Sequence, residues 1–202
     1  MNIDSREALR SLYATPKERA IKKQLPQLDT HCRRFITLSP LVVVSSVSTS
    51  LAMDASPRGG EPGFVKVIDA NTLLIPDSPG NNRLDTLENI VDTGRIGLLF
   101  LVPGVDEALR ANGTAVLSND DRYLDLCTTA KRRPKLVIEV KVAEAYLHCA
   151  KALMRSRLWD PDAQIDRSTL PSLGQMLRDQ IGDDVTPEPQ KAMAERYRTQ
   201  LY

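Results

Sequence analysis

From Leu41 to Val142 the chain is a succession of short apolar runs broken by turn residues, and crossover helices are missing between most of them. That absence is the strongest constraint on the fold: parallel neighbours in a sheet need a long crossover, whereas antiparallel neighbours need only a turn. LVVVSSVST from Leu41, FVKVID from Phe64 and TLLIP from Thr72 read as strands, separated first by a Pro/Gly-rich bend, SPRGGEPG, from Ser56 to Gly63. Residues 95–102 form a further buried run, and Leu109, Ala111, Gly113, Ala115 and Leu117 alternate with polar neighbours in the next. Leu136, Ile138, Val140 and Val142 alternate again in a long strand. Five or six antiparallel strands result. The expected fold is mainly β with flanking helices, a small closed or nearly closed antiparallel β-barrel.

Leu84, Leu87, Ile90 and Val91 recur at helical spacing, so residues 82–91 are expected to form a short amphipathic helix capped by Asn81 or Asn82 and ended by Gly94. A second short helix is expected near residues 120–127. Residues 5–36 read as helical pieces, with Asp4 capping the first and Thr15–Pro16 opening another, and carry little apolar surface. Beyond Trp159 the text turns polar, with helices expected over residues 172–181 and 189–201. The expected organisation is a helical appendage at 1–36, a barrel at 37–160 and a helical tail at 161–202.

With 27 basic and 26 acidic side chains the net charge is +1, which gives no cationic surplus for a nucleic-acid backbone. No run approaches the ~20 apolar residues of a membrane span, so a soluble chain is expected. The three cysteines are an odd number at irregular spacing and the N-terminus lacks the basic-then-apolar order of a secretory signal, which together suggest a reduced cytoplasmic setting.

Three stretches carry candidate chemistry. Arg83 stands where a strand gives way to a helix, and a helix start with a forked cation beside it suits a phosphate. A plainer alternative, favoured on this stretch alone, is a surface arginine satisfied by Asp85 or Glu88 in the first turns. Ser56 and Arg58 lie in a glycine-rich bend that is either an ordinary turn or a second basic loop converging on the same anion. His148 and Lys151 precede Arg155, Arg157 and the only tryptophan, Trp159, and form either a solvated cationic face or a ligand wall. His31–Cys32 and His148–Cys149 do not supply a metal site, because adjacent side chains point apart. No Gly-x-Ser-x-Gly elbow, Walker loop or GxGxxG motif is present, so any catalysis would rely on a cofactor's reactive atoms.

Four blocks, SPRGGEPGFVKV, LLIPDSPGNNRLDTLENI, IGLLFLVPGV and YLHCAKALMRSRLWDP, taken together resemble the pyridoxamine 5'-phosphate oxidase-like flavoproteins, specifically a bacterial FMN-dependent branch. The likeness runs from about Phe35 to Pro161. It implies a split β-barrel homodimer with FMN in a groove at the subunit interface. On this resemblance Arg83, with Asn82 beside it, holds the FMN phosphate, which reverses the weighting from the stretch alone. Ser56 and Arg58 match the bend that approaches the flavin, while Ile75, Pro76 and Asp77 line the isoalloxazine through backbone groups. His148, Lys151 and Trp159 match contributions from the facing subunit. The namesake oxidases' substrate-binding and C-terminal arginine-containing motifs are absent, which leaves pyridoxamine phosphate unsupported as substrate.

The expected activity is an FMN-dependent oxidoreduction: a small substrate or a nicotinamide delivers a hydride to the flavin, and oxygen or another acceptor takes the electrons. Arg58 or His148 would orient the substrate. The alternatives are a non-catalytic flavin-binding module, the same barrel holding haem through His148 or a deazaflavin, and an interaction protein without a ligand.

Overall fold

The computed structural model describes residues 2–201. Seven strands, β1 (Leu41–Val47), β2 (Met53–Gly59), β3 (Lys66–Val67), β4 (Thr72–Pro76), β5 (Arg95–Leu101), β6 (Ala108–Ser118) and β7 (Val137–His148), form one sheet. Its spatial order is β2-β1-β5-β6-β7-β4-β3, and every pairing is antiparallel. The end strands β2 and β3 do not pair with each other among the described residues, so the barrel is split rather than closed.

The strand β2 corrects the sequence expectation, which put Ser56 and Arg58 in a bend. Ser56 pairs with Val44 and Arg58 with Val42, inside a ladder with β1. An edge strand needs ladder partners on one side only, so it tolerates Pro57, whose missing N–H would break a central strand. The residues half-buried on its inner side are Asp54, Ser56 and Arg58, which is why no apolar alternation announced it. By contrast FVKVID contributes only Lys66 and Val67 to the sheet.

The last strand runs on to His148. A bulge between Asn112 and Gly113 shifts the β6–β7 register and interrupts the alternation at the point where the sequence pattern stops. Gly113 is required there: a Cβ would lie 1.9 Å from the Lys141 carbonyl oxygen.

The core is filled by Val42, Val44, Leu73, Ile75, Phe100, Leu109 and Val140, all fully buried. Of the first three helices, α1 (Arg6–Ser11) and α2 (Glu18–Lys22) bury nothing, whereas α3 (Thr30–Leu38) sends Cys32 and Ile36 into that core. The N-terminal stretch therefore does more than cover the barrel. Ser5, not Asp4, caps α1, and α2 opens at Lys17 without a side-chain cap, in place of the expected Thr15–Pro16 start. In α3, Asp29 accepts the Cys32 N–H at 2.7 Å, and this bond holds its carboxyl below the ordinary value.

The helix after β4, α4 (Asp85–Thr93), packs against β1 and β6 and ends at left-handed Gly94. Leu87 and Ile90 are buried, contributing about 1.5–3 kcal/mol each, whereas Leu84 and Val91 are exposed. The helix opens at Asp85 rather than Asn82, and neither Asn81 nor Asn82 caps it. The later helices are α5 (Asp121–Leu126), α6 (Lys151–Ser156), α7 (Leu173–Ile181) and α8 (Gln190–Gln200). Arg157 lies beyond α6 in a left-handed conformation, paired with Asp160, so of Lys151, Arg155 and Arg157 only the first two share a helix. Among the described residues no helix is long and apolar enough to cross a membrane.

Candidate functional site

Three segments meet beside the inner face of β2: the end of β2, the turn 77–84 after β4, and the loop 127–135 between α5 and β7. They enclose a groove of about 470 Å³ lined by Arg58, Arg83, Arg132, Arg133 and Lys135, together with Asn81, Asn82 and Asp77. Five cations and one acid, Asp77, line it; Asp85, Asp121 and Asp125 pair with two of the cations from outside the lining, so the groove keeps a positive surplus. The donor set suits a phosphate monoester: forked guanidinium groups, an ammonium and side-chain amides, with one carboxylate to oppose them.

The cations differ in how far they are already neutralised. Arg83 is 73% exposed and lies 2.8 Å from Asp85, which holds the Asp85 carboxyl below its ordinary value. Arg133 is held by Asp121 and Asp125, at 2.6 and 3.0 Å. Arg132 donates to the Asp77 carbonyl oxygen at 3.1 Å and so ties the 127–135 loop to the end of β4. Arg58 is half-buried, its guanidinium 3.4 Å from the Pro57 carbonyl oxygen, and neither it nor Lys135 has an ion pair among the described residues. Of these, half-buried Arg58 gains most from an anion, while Lys135 is exposed to water.

The turn carrying Arg83 is strained. Asn82 and Leu84 on either side of it both have φ of 60°, a region that costs a non-glycine residue about 1–3 kcal/mol. The Asn81 side chain accepts the Arg83 N–H at 3.1 Å and closes a local turn instead of capping the helix. Behind the turn, Asp54 on β2 accepts from Thr86 at 2.5 Å and from Ser56 at 2.9 Å, so α4 is clamped to the inner face of β2.

The sequence-derived residues fall into three groups. Arg58, Asn82, Arg83 and Asp77 line the basic groove. Ser56 is committed to Asp54 behind the groove, and Ile75 is fully buried in the core and does not line it, while Pro76 lines an adjoining cavity with Asp77. His148, Lys151 and Trp159 lie elsewhere in the chain. His148 ends β7 on a separate broad groove of about 860 Å³ with Arg110, Asn112 and Glu144. Burial, then Arg110 and Lys23, depress its pKa below the ordinary value, which favours the neutral ring. Trp159 donates to the Val105 carbonyl oxygen at 2.9 Å, and Lys151 opens α6 exposed. The sequence reading missed Arg132, Arg133 and Lys135, although the run KRRPK at 131–135 was a visible signal.

A seven-stranded antiparallel split barrel flanked by helices, with a basic groove at a strand-to-helix junction, places the chain among the small split-barrel proteins. The pyridoxamine 5'-phosphate oxidase family model matches residues 28–149, more than half of the chain, and the chain belongs to that family. Among solved structures it is similar to the H111A form of HupZ from Group A Streptococcus, at 18% identity and a TM-score of 0.51, over 60% of this chain and 99% of that one. A candidate pyridoxamine 5'-phosphate oxidase from Lactobacillus delbrueckii is 21% identical with a TM-score of 0.48, over 61% and 98%. An FMN-binding protein from Syntrophomonas wolfei is 17% identical with a TM-score of 0.42, over 58% and 83%. No curated protein matches at the level of sequence similarity.

Proposed function

We propose that this chain binds FMN, with the phosphate in the basic groove, and acts as an FMN-dependent oxidoreductase on a small molecule. The observation that carries the proposal is the convergence of Arg58, Arg83 and Lys135 with Asn81 and Asn82 on one groove at the end of an edge strand. Arg83 and Asn82 would hold the phosphate oxygens, and Arg58, entering from β2, would neutralise the remaining charge. Pro76 and Asp77 lie where the groove leaves its most cationic part, the place for the flat end of the molecule. A bound flavin supplies a ring that takes up a hydride and passes the electrons to oxygen or another acceptor.

The protein's share of the work is to bind and orient. Arg132 fixes the Asp77 backbone, and the Asp54–Thr86 bond fixes the turn that presents Arg83. A homodimer with FMN at the interface is part of the proposal, the facing subunit bringing His148, Lys151 and Trp159 to the ligand. The broad groove that includes His148 supports this, since it leaves the face of β1, β5, β6 and β7 open on a single chain.

The test is FMN titration by fluorescence quenching on wild-type and Arg83→Ala protein. Loss of one charge-assisted contact should weaken FMN about ten- to a hundredfold. Riboflavin, lacking the phosphate, should show no such difference. Unchanged FMN affinity in the variant would overturn the assignment of the groove.

A further inference from the structure

We propose that the apolar cavity adjoining the basic groove is a substrate pocket for a small aromatic or unsaturated monocarboxylate, with Lys66 as the group that recognises the carboxylate; the assignment as substrate pocket rests on the flavin reading above. The cavity measures about 370 Å³, a volume suited to one ring with a short side chain. Phe64, Pro76, Pro134 and Cys127 give it apolar walls.

The cavity shares Gly59, Asp77, Ser78 and Arg132 with the basic groove, so the two are one continuous recess with a joint at the Arg132–Asp77 contact. A molecule seated in it would lie beside whatever flat group reaches Asp77 from the phosphate side. The wall is built for close packing: a Cβ on Gly60 would lie 2.8 Å from the Phe64 ring carbon Cγ, so glycine is what lets that ring close against the loop. Gly63, with φ of 84°, makes the turn that returns the chain to Lys66.

The charge in the cavity comes from Lys66, Lys131 and Arg132 against Glu61 and Asp77, three cations and two acids, so the surplus favours a single negative charge. Lys66 is the half-buried member that has no carboxylate partner among the described residues. Among the described residues its ammonium makes one hydrogen bond, to the Gly63 carbonyl oxygen at 2.8 Å, which leaves two further donors. It also lies near enough to Cys127 to oppose the rise that burial imposes on that thiol. A half-buried cation with a single neutral acceptor gains most from an anion, and the apolar walls select an anion attached to a flat hydrocarbon body.

The experiment compares benzoate with neutral benzamide by ligand-observed NMR, on flavin-free protein and after FMN addition. Benzoate should bind at least about tenfold more tightly than benzamide, Lys66→Gln should remove the preference, and Lys66→Arg should restore it. In the FMN-loaded protein benzoate should also shift the flavin absorption bands. Equal binding of the two probes to wild-type protein, or a benzoate preference that survives Lys66→Gln, overturns the pocket. If FMN is not taken up but the preference and its dependence on Lys66 hold, the carboxylate site stands and the flavin reading alone falls. If FMN is taken up and the preference is absent, the reverse applies.

Discussion

The contact that decides whether the basic groove keeps its shape is the bond from Thr86 to Asp54. Thr86 is 2% exposed and its hydroxyl donates to this carboxylate at 2.5 Å. Replacing Thr86 with valine keeps the volume and removes the donor. A hydrogen bond to a charged group contributes about 1.5–3 kcal/mol, and because Asp54 is only half-buried the expected loss lies in the lower half of that range. Asp54→Ala leaves the Thr86 hydroxyl buried without an acceptor, which should cost about 2–3 kcal/mol. Ser46 adds little to that figure, since its own contact with Asp54 is 3.5 Å and it keeps the Asn89 amide at 3.0 Å. Ser56 is half-buried and can turn to water. The two substitutions should therefore be strongly non-additive, with a coupling of about 1–2 kcal/mol in a double-mutant cycle. Urea unfolding followed by circular dichroism supplies the four stabilities. Single losses under about 0.5 kcal/mol that simply add would refute the clamp, and with it the claim that β2 positions the turn bearing Arg83.

Two further outcomes test the frame around the site. Gly113→Ala should cost at least about 3 kcal/mol or prevent folding, because its Cβ would lie 1.9 Å from a backbone oxygen that the β6–β7 ladder holds in place. Gly80→Ala, where a Cβ meets nothing within 4 Å, is the control and should leave the urea midpoint unchanged. His148 has a folded-state pKa below the ordinary 6.5, through burial first and then Arg110 and Lys23. As pH falls the unfolded chain therefore takes up this proton first, so stability is full above 6.5 and declines as pH drops from there toward the folded-state value. Urea midpoints between about pH 7 and pH 5 should show that decline, and His148→Gln should flatten it.

The parts of the fold legible in the sequence are those that obey one periodicity. β1, β5, β6 and the first half of β7 alternate or run apolar, and each was found close to its observed bounds. β2 was hidden because it turns Asp54, Ser56 and Arg58 inward and carries Pro57, features that local rules assign to a bend. The same polar inward face makes it useful, since a strand of valines would place no arginine in the groove. The register shift within the β6–β7 pair is illegible for a different reason: the bulge at Gly113 depends on a partner strand that no local window contains. Arg58, Asn82, Arg83 and Asp77 were legible as candidates, but their meeting with Arg132, Arg133 and Lys135 is a product of the chain returning through the 127–135 loop.

The two readings of Arg83 available from the sequence are compatible in the structure. Arg83 does pair with Asp85, as the plainer one required, and it also lines the groove that collects the other cations. An exposed pair of this kind is screened by water and holds its partners weakly. A phosphate monoester carries more charge than one carboxylate and presents more acceptor oxygens, so it can compete for the guanidinium where Arg58 and Lys135 add their attraction. Under the proposed function, Asp85 would keep the guanidinium near the helix start and the groove mouth for the incoming anion. The positive φ at Asn82 and Leu84 is consistent with this, because a relaxed helix start would carry Arg83 round the helix axis with its first turn. The strain of the turn therefore lies at the residues that set where its cation points.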